Sequence, residues 1–366
     1  MSKYTIHLAT ADDNAELCAL FALPMKGNIS LSFSRSPDYF TGSCVQNEIT
    51  EVYICRNVNN GSACAIFSVG KRRVFRNGNI IFTPYFADLR IDEKARDGRL
   101  LLYISKFLNE RNIPGDDEAQ TIIFSDNSVM LSLIEKQSVR KNSMSMHYYN
   151  FTGNYISYIL PSQRIGSTAP HLTIRQATIA DIPDMQRFLE QEGPKKDFFP
   201  YYNFAELTAG NSYYHQLTVN NFYIVLLNDK IYAMAGIWDQ SAFKRTLVGN
   251  YSGILKTLRP LINIVSKITG GINLPAPGNP FSYVYLHCIL ITNNNTAVFK
   301  QLVDHILSNM PSDSCLLVGL DAADDLCEPL NKYKHTRKIA GKHYLVSSTY
   351  RPPKSKRSFY LESARI

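Results

Sequence analysis

Apolar residues follow two periods along this chain. Glu48–Arg56 and Ser62–Phe75 read as strands, and Asn59-Asn60-Gly61 between them is a hairpin signal. Arg76-Asn77-Gly78 is a second turn. It leads into Asn79–Ile91, whose aromatic and β-branched residues predict a long buried strand. Asp92–Gly98 is charged and ends in glycine. Leu100, Leu101, Tyr103, Ile104, Phe107 and Leu108 then recur at helical spacing, so a helix is expected from about Arg99 to Arg111, broken by Ile113-Pro114-Gly115. Thr121–Phe124 reads as a short strand. Ser125-Asp126-Asn127 caps a helix bearing Met130, Leu131, Leu133 and Ile134. Two strands, Met144–Phe151 and Tyr155–Leu160, finish this part of the chain.

The opening segment then returns. Ile6–Asp13 is a short strand followed by a helix with Leu17, Leu20 and Phe21, for which Asp12 or Asp13 is the cap. Ser36 and Pro37 suit the start of another helix. Ile174–Asp181 repeats Ile, Ala, Thr and Asp at the same four offsets, and a helix with Ile182, Met185 and Leu189 follows. Phe222–Leu227, the turn Asn228-Asp229 and Lys230–Trp238 repeat the hairpin. Ser282–Leu290 stands where the long strand stood, ahead of a helix with Val298, Phe299, Leu302, Val303 and Ile306. Cys315–Leu320 and Lys342–Ser347 are closing strands. This is a duplication of whole-domain size: a first unit over 1–160, a linker over 161–171 rich in Ser, Gly, Thr and Pro, and a second unit over 172–350. A basic tail over 351–366 follows. Residues 241–280 have no counterpart in the first unit. They hold an amphipathic stretch, Leu255–Ile268, and the Gly/Pro-rich Gly270–Pro280.

Composition narrows the function classes. At 366 residues and 45% hydrophobic content, two cores fit comfortably. No run of eighteen apolar residues occurs and Met1–Ile6 lacks an apolar signal core, so a cytoplasmic chain with no membrane partner is expected. The seven cysteines show no C-x-x-C spacing and read as free thiols. The histidines form no H-x-x-x-H pair, so no metal is expected, and no G-x-S-x-G elbow marks a serine hydrolase. A net charge of +8 suits nucleic acid or a polyphosphorylated cofactor. With neither a basic helix nor an aromatic RNA-binding signature, nucleic acid is the lesser of the two.

The strand–turn–helix over Phe82–Tyr103 offers backbone N–H groups and the positive end of a helix to an anion, with Arg96 and Arg99 adding charge. The plain alternative is an ordinary connection with a solvated loop. Among carboxylates, Asp88 is the candidate to take a proton from an amine. The competing reading is a local hydrogen bond or salt bridge. Glu51 is a weaker candidate, and Tyr148 is a candidate general acid. Trp238, the single tryptophan, reads as a core anchor before a pocket wall.

The units, each strand–helix–hairpin–long strand–glycine turn–helix, resemble the GNAT acyltransferase superfamily in tandem. More narrowly, they resemble bacterial tandem GNAT-like proteins through Arg35-Ser-Pro-Asp-Tyr-Phe40, Asp88-Leu-Arg-Ile91, Ala95-Arg-Asp-Gly-Arg-Leu-Leu101 and Ile237-Trp-Asp-Gln240 with Phe243-Lys244. Arg259-Pro-Leu261 and Leu274-Pro-Ala-Pro-Gly278 also fit. The resemblance implies an α/β fold with a mixed α+β sheet, and acetyl-CoA as co-substrate in the first unit. Leu89, Arg90 and Ile91 would lie along the pantetheine arm. Arg96, Asp97, Gly98, Arg99 and Leu100 would cradle the pyrophosphate, with Asn127 nearby. It also implies direct acyl transfer to an amine, on a small molecule or a protein, in the cleft between the units. Two departures stand out. The cradle is short, with one glycine and an acidic residue, and Ile134 occupies the helix position where many members carry a tyrosine. The second unit has no cradle. The alternative is a non-catalytic acyl-CoA-binding or partner-binding protein that keeps this fold.

Overall fold

The computed structural model describes residues 3–25, 29–96, 98–139, 147–165, 172–351 and 359–366. The first half runs β1 (Tyr4–Leu8), α1 (Asn14–Phe21), β2 (Ile29–Ser34), α2 (Tyr39–Cys44), β3 (Ile49–Asn57), β4 (Ala63–Arg76), β5 (Asn79–Ile91), α3 (Arg99–Glu110), β6 (Ala119–Phe124), α4 (Ser128–Val139) and β7 (Tyr148–Pro161). The second runs β8 (Thr173–Gln176), α5 (Ile182–Glu192), β9 (Phe222–Leu227), β10 (Lys230–Trp238), β11 (Arg245–Tyr251), α6 (Gly253–Thr269), β12 (Tyr283–Ile291), α7 (Thr296–Asn309), β13 (Cys315–Asp321), α8 (Cys327–Leu330) and β14 (Arg337–Ser347).

The repeated Ala/Thr/Asp signature is a helix-entry device. In both copies a threonine, Thr10 or Thr178, forms a reciprocal capping box with the aspartate three residues on, Asp13 or Asp181. The cap is therefore the threonine, and Asp13 is its partner. At α2 the cap is Asp38, whose carboxylate accepts from the Phe40 and Thr41 amides, in place of Ser36.

Twelve of the described strands form one sheet in the order β1-β3-β4-β5-β6-β14-β7-β13-β12-β10-β9-β8. Read from either end, the order visits equivalent strands of the two halves, so a pseudo-twofold axis passes between β14 and β7. Each half gives its last strand to the other. β14 pairs with β6 (Gly341 opposite Phe124), and β7 pairs with β13 (Cys315 opposite Pro161). The stretch read as strands Met144–Phe151 and Tyr155–Leu160 is one continuous strand from Tyr148. Gly153-Asn154 does not reverse the chain, because both flanks keep pairing with β14 across a register shift at Thr152. Residues 144–146 lie outside the described residues.

Two internal features repeat with the strands. The pairing of β4 with β5 slips between Ile66–Arg90 and Ser68–Ala87, leaving Asp88 bulged at φ +59°. The pairing of β10 with β12 slips between Met234–Leu290 and Gly236–His287, leaving Cys288 bulged at φ +51°. Beyond these bulges the parallel pairs separate: β5 and β6 share only Tyr85–Gln120, and β12 and β13 share Tyr283–Cys315 through Leu286–Val318.

The 241–280 segment ties the halves together. Its β11 pairs antiparallel with β2 of the first half in a separate two-stranded sheet. Residues 359–366, read from sequence as part of a basic tail, lie inside the molecule: Glu362, Ser363, Ala364 and Arg365 are all buried. The aromatic and aliphatic side chains Tyr360, Leu361 and Ala364 join the cores there. Residues 352–358 lie outside the described residues. All seven cysteines are free, and no helix among the described residues is long and apolar enough to cross a membrane.

Candidate functional site

The separation of β5 from β6 opens a wedge at the C-terminal end of β5, and the bulged Asp88 sits in its wall. The Asp88 carboxylate is 2.6 Å from the wholly buried guanidinium of Arg35, which donates to both of its oxygens. Tyr39 donates its hydroxyl to Oδ2 at 3.1 Å, Ser68 to Oδ2 at 3.4 Å and Gln46 to Oδ1 at 3.5 Å. Arg35 also donates to Ser43 Oγ at 2.7 Å and lies over the rings of Phe21 and Tyr39. Burial raises the Tyr39 phenol well above its ordinary value, and the Asp88 charge adds to the shift. Asp88 is thus a fixed counter-charge with both oxygens engaged.

The other half contributes Lys244, at the foot of β11. It is buried, donates to the backbone oxygen of Ile366, and its ammonium lies 5.3 Å from the centre of the Tyr285 ring. Burial pushes Lys244 down from 10.5 to about 7. Arg35 lies close enough to lower it further and Asp88 close enough to oppose the shift. At neutral pH a large share of Lys244 is therefore an uncharged amine beside a charged pair. Sequence reasoning assigned no role to Arg35 or Lys244. The only signal is their place in the short motifs Arg35–Phe40 and Phe243-Lys244.

The residues expected to form the cradle lie at the turn from β5 into α3. Gly98, at φ +79°, turns the chain into α3, whose first-turn N–H groups have no intrahelical partner. A Cβ placed on Gly98 would meet nothing within 4 Å, so the space in front of the turn is open. Arg99 is exposed at the start of α3, while the Leu100 side chain points into the core. Asp97 lies outside the described residues. Arg96 folds back, donating from Nε to the Ile91 carbonyl at 3.0 Å, and Arg90 donates to the Leu89 carbonyl at 3.1 Å. Two carbonyls expected to face a ligand thus carry arginines of their own chain. Asn127 is exposed and accepts from the Met130 amide at the start of α4.

Tyr148 is not brought to Asp88. Its partner is Ser347 and its ring meets Tyr350 edge-on. Register through Gln120, Leu345 and Asn150 puts it on the far side of the β5–β6 contact, about 16 Å along the sheet and about 14 Å across it. Glu51 accepts from Tyr53 on its own strand at 2.5 Å. Trp238 is wholly buried and donates to the His215 carbonyl, a core anchor.

The equivalent wedge in the second half is filled by the chain itself. The amide of the bulged Cys288 donates to Glu362 Oε2 at 2.8 Å, and Ser363 Oγ donates to the Leu286 carbonyl at 3.2 Å. Arg365 follows, its guanidinium 3.5 Å from the Tyr213 ring centre and flanked by Tyr202, Tyr214 and Trp238. Burial raises Glu362 above its usual range despite these donors. The loop after β12 has no arginine. Asn294 there donates to Asp324.

No family model matches this chain, and no curated protein does. Solved structures do. A GCN5-related N-acetyltransferase from Sphaerobacter thermophilus superposes with a TM-score of 0.54 at 9% identity, over 98% of this chain and 99% of that one. Saccharomyces cerevisiae N-myristoyltransferase with bound myristoyl-CoA gives 0.58 at 9% identity, over 95% and 79%. The same enzyme with myristoyl-CoA and inhibitors gives 0.60 at 8%, over 100% and 84%. At these identities the likeness is one of fold, and it agrees with the internal repeat: the chain is a mixed α/β protein built of two tandem GNAT-like units.

Proposed function

We propose that this chain is an acyl-CoA-dependent N-acyltransferase that takes acetyl-CoA in the first-half wedge and transfers its acyl group directly to an amine. The observation that carries this reading is the asymmetry of the two wedges. The second is closed by Glu362 and Ser363, whereas the first stays open, with a glycine turn and a helix start at its mouth. In this reading the backbone of Leu89 and Ile91 pairs with the pantetheine arm once Arg90 and Arg96 swing away. Arg96, Gly98, Arg99 and the Leu100 amide meet the pyrophosphate, together with Asp97, and Asn127 stands near the thioester end.

The acceptor amine must lose a proton to attack the thioester carbonyl. Lys244, partly uncharged near pH 7 and near enough to Arg35 and Asp88 to feel their charges, is the group we assign to accept it. As the N–C bond forms, the C–S bond breaks, and coenzyme A leaves as the thiolate, which takes its proton from solvent. Asp88 then serves as a positioning residue for Arg35 instead of as the base. A second reading, a non-catalytic acyl-CoA-binding or partner-binding protein, is favoured by the arginines on the Leu89 and Ile91 carbonyls.

The test is calorimetric titration of acetyl-CoA into the wild type and into Gly98→Glu, followed by thiol release with a panel of amines. The variant forces a side chain onto a left-handed residue and sets a negative charge where phosphate would lie. Binding lost in the variant, with thiol release by the wild type, supports the enzyme. Binding without release with any amine supports the second reading. No binding to the wild type at millimolar acetyl-CoA refutes the acetyl-CoA-dependent enzyme and leaves a fold kept for another ligand or a partner.

A further inference from the structure

Helix α6 is inside out. Its body-facing side carries Arg259, Asn263 and Ser266. Asn263 exchanges two hydrogen bonds with the backbone of Leu274, at 2.9 and 2.8 Å, and Arg259 donates to the same carbonyl at 3.3 Å. Ser266 is the one buried residue of the helix. The other side presents Ile254, Leu258, Leu261, Ile264, Val265 and Ile268, between 42 and 81% exposed. At 100° per residue these six fall on one arc, so the 17-residue helix shows solvent a continuous aliphatic strip about 21 Å long. A strip of this extent on a surface helix marks an interaction face.

Its chemistry selects the partner. The helix has no acidic residue, and Lys256 and Lys267 are exposed on the flank opposite the strip. Protein interfaces concentrate their energy in Trp, Tyr and Arg anchors set in pockets, and this strip is aliphatic, without aromatic groups. An apolar stripe with lysines on the opposite face is the pattern of a helix lying in the plane of a bilayer surface that carries anionic headgroups. We infer that α6 docks the protein on an anionic lipid surface, with Ile254, Leu258, Leu261, Val265 and Ile268 at the acyl boundary and Lys256 and Lys267 near the headgroups. That no helix among the described residues could cross a membrane does not bear on such docking, since nothing crosses. The same 241–280 segment carries Lys244 and β11, so the surface that docks is continuous in sequence with one wall of the candidate site.

The experiment is co-sedimentation of the full chain with vesicles of phosphatidylcholine alone and of phosphatidylcholine mixed with phosphatidylglycerol. Each is run at low and high salt beside light scattering of the free protein. The wild type should pellet with the anionic vesicles, weakly with the neutral ones, and less as salt rises. Leu261→Glu with Ile268→Glu should lower partitioning by about tenfold or more. Lys256→Gln should lower it by about fivefold while leaving the apolar strip intact. All three positions are solvent-exposed, so the variants should keep the wild-type circular dichroism. Equal binding to neutral and anionic vesicles, or no binding to either, overturns the inference. So does a wild-type dimer that the Leu261→Glu, Ile268→Glu variant dissociates, which would make the strip a self-association surface.

Discussion

Replacing Lys244 with methionine tests whether this lysine is uncharged at neutral pH, on which its role as proton acceptor rests. Methionine keeps much of the length and removes the titrating amine. The wild-type amine goes from an ordinary 10.5 to about 7 in the folded protein. Above pH 10.5 it is neutral in both states and contributes nothing to pH-dependent stability. Between 10.5 and 7 the unfolded chain holds the proton and the folded chain does not, so unfolding takes up protons and wild-type stability rises with pH. Below 7 both states are charged and the full cost of burying the ammonium remains, about 5 kcal/mol at about 1.4 kcal/mol per pH unit. Between pH 7 and 9 the wild type should therefore gain about 2 kcal/mol over Lys244→Met. Urea unfolding at the two pH values, with unchanged m, measures it. Removing the hydrogen bond to Ile366 and the contact with Tyr285 displaces the variant's curve by a constant, which the pH difference cancels. Parallel curves would mean that Lys244 stays protonated through the neutral range. The proposed proton acceptor would then be wrong, whatever the protein's activity.

Asp88→Ala leaves the wholly buried Arg35 guanidinium without its counter-charge, and unfolding free energy should fall by roughly 3–5 kcal/mol in urea. A loss below about 1 kcal/mol would show that the pair is open to water and not the fixed wall described above. At Gly319 on β13 a Cβ would stand 1.7 Å from the Tyr155 hydroxyl and 2.8 Å from Ser363 Cβ. Gly319→Ala should therefore cost about 1–3 kcal/mol or more by thermal or urea melting. An unperturbed melt would mean that neither the Tyr155 hydroxyl nor Ser363 crowds Gly319.

Much of the fold is legible in the chain because its signals are local. The Thr10–Asp13 and Thr178–Asp181 boxes are four-residue devices, and their recurrence exposes the duplication. The hairpin at Asn59–Gly61 and the glycine turn at Gly98 are read from the residues that make them. What stayed hidden is what a segment does with a distant one. Nothing in β7 or β14 says that each pairs with the opposite half, since alternating strands do not name their neighbours. Arg35 meets Asp88 across 53 residues, and Lys244 meets Ile366 across 122. The lysines and arginines of 351–357 dominated the reading of the last sixteen residues, although Phe359, Tyr360, Leu361 and Ala364 carry an apolar signal for burial. Tyr148 is remote because it opens its strand at the end of the sheet opposite the wedge, three strands away, so its neighbourhood in sequence is not its neighbourhood in space.

The asymmetry between the wedges follows from the pseudo-twofold design. Two copies of a strand pair that separates after a bulge leave two openings, and each exposes unpaired backbone that must find partners. In the second half the need is met from within. Glu362 takes the Cys288 amide, Ser363 takes the Leu286 carbonyl, and the aromatic residues around Arg365 lock the segment in place. In the first half the equivalent Phe86 carbonyl accepts from the Thr121 hydroxyl at 3.0 Å, and past the bulge Arg90 and Arg96 reach the Leu89 and Ile91 carbonyls. A buried segment held by a carboxylate, a hydroxyl and an arginine caged by aromatics is part of the core. Arg96, exposed on the Ile91 carbonyl, is a cover that a chain of amides and phosphates can replace, offering the carbonyl a new N–H donor and the guanidinium a new anion, whereas Arg90 also packs over the rings of Phe21 and Phe33. The same segment that closes the second wedge also delivers the Ile366 oxygen to Lys244, and Lys244 lies near enough to the Arg35–Asp88 pair of the first to feel its charges. The closed half thereby builds one wall of the open one, which explains how a duplicated fold comes to carry a single candidate site.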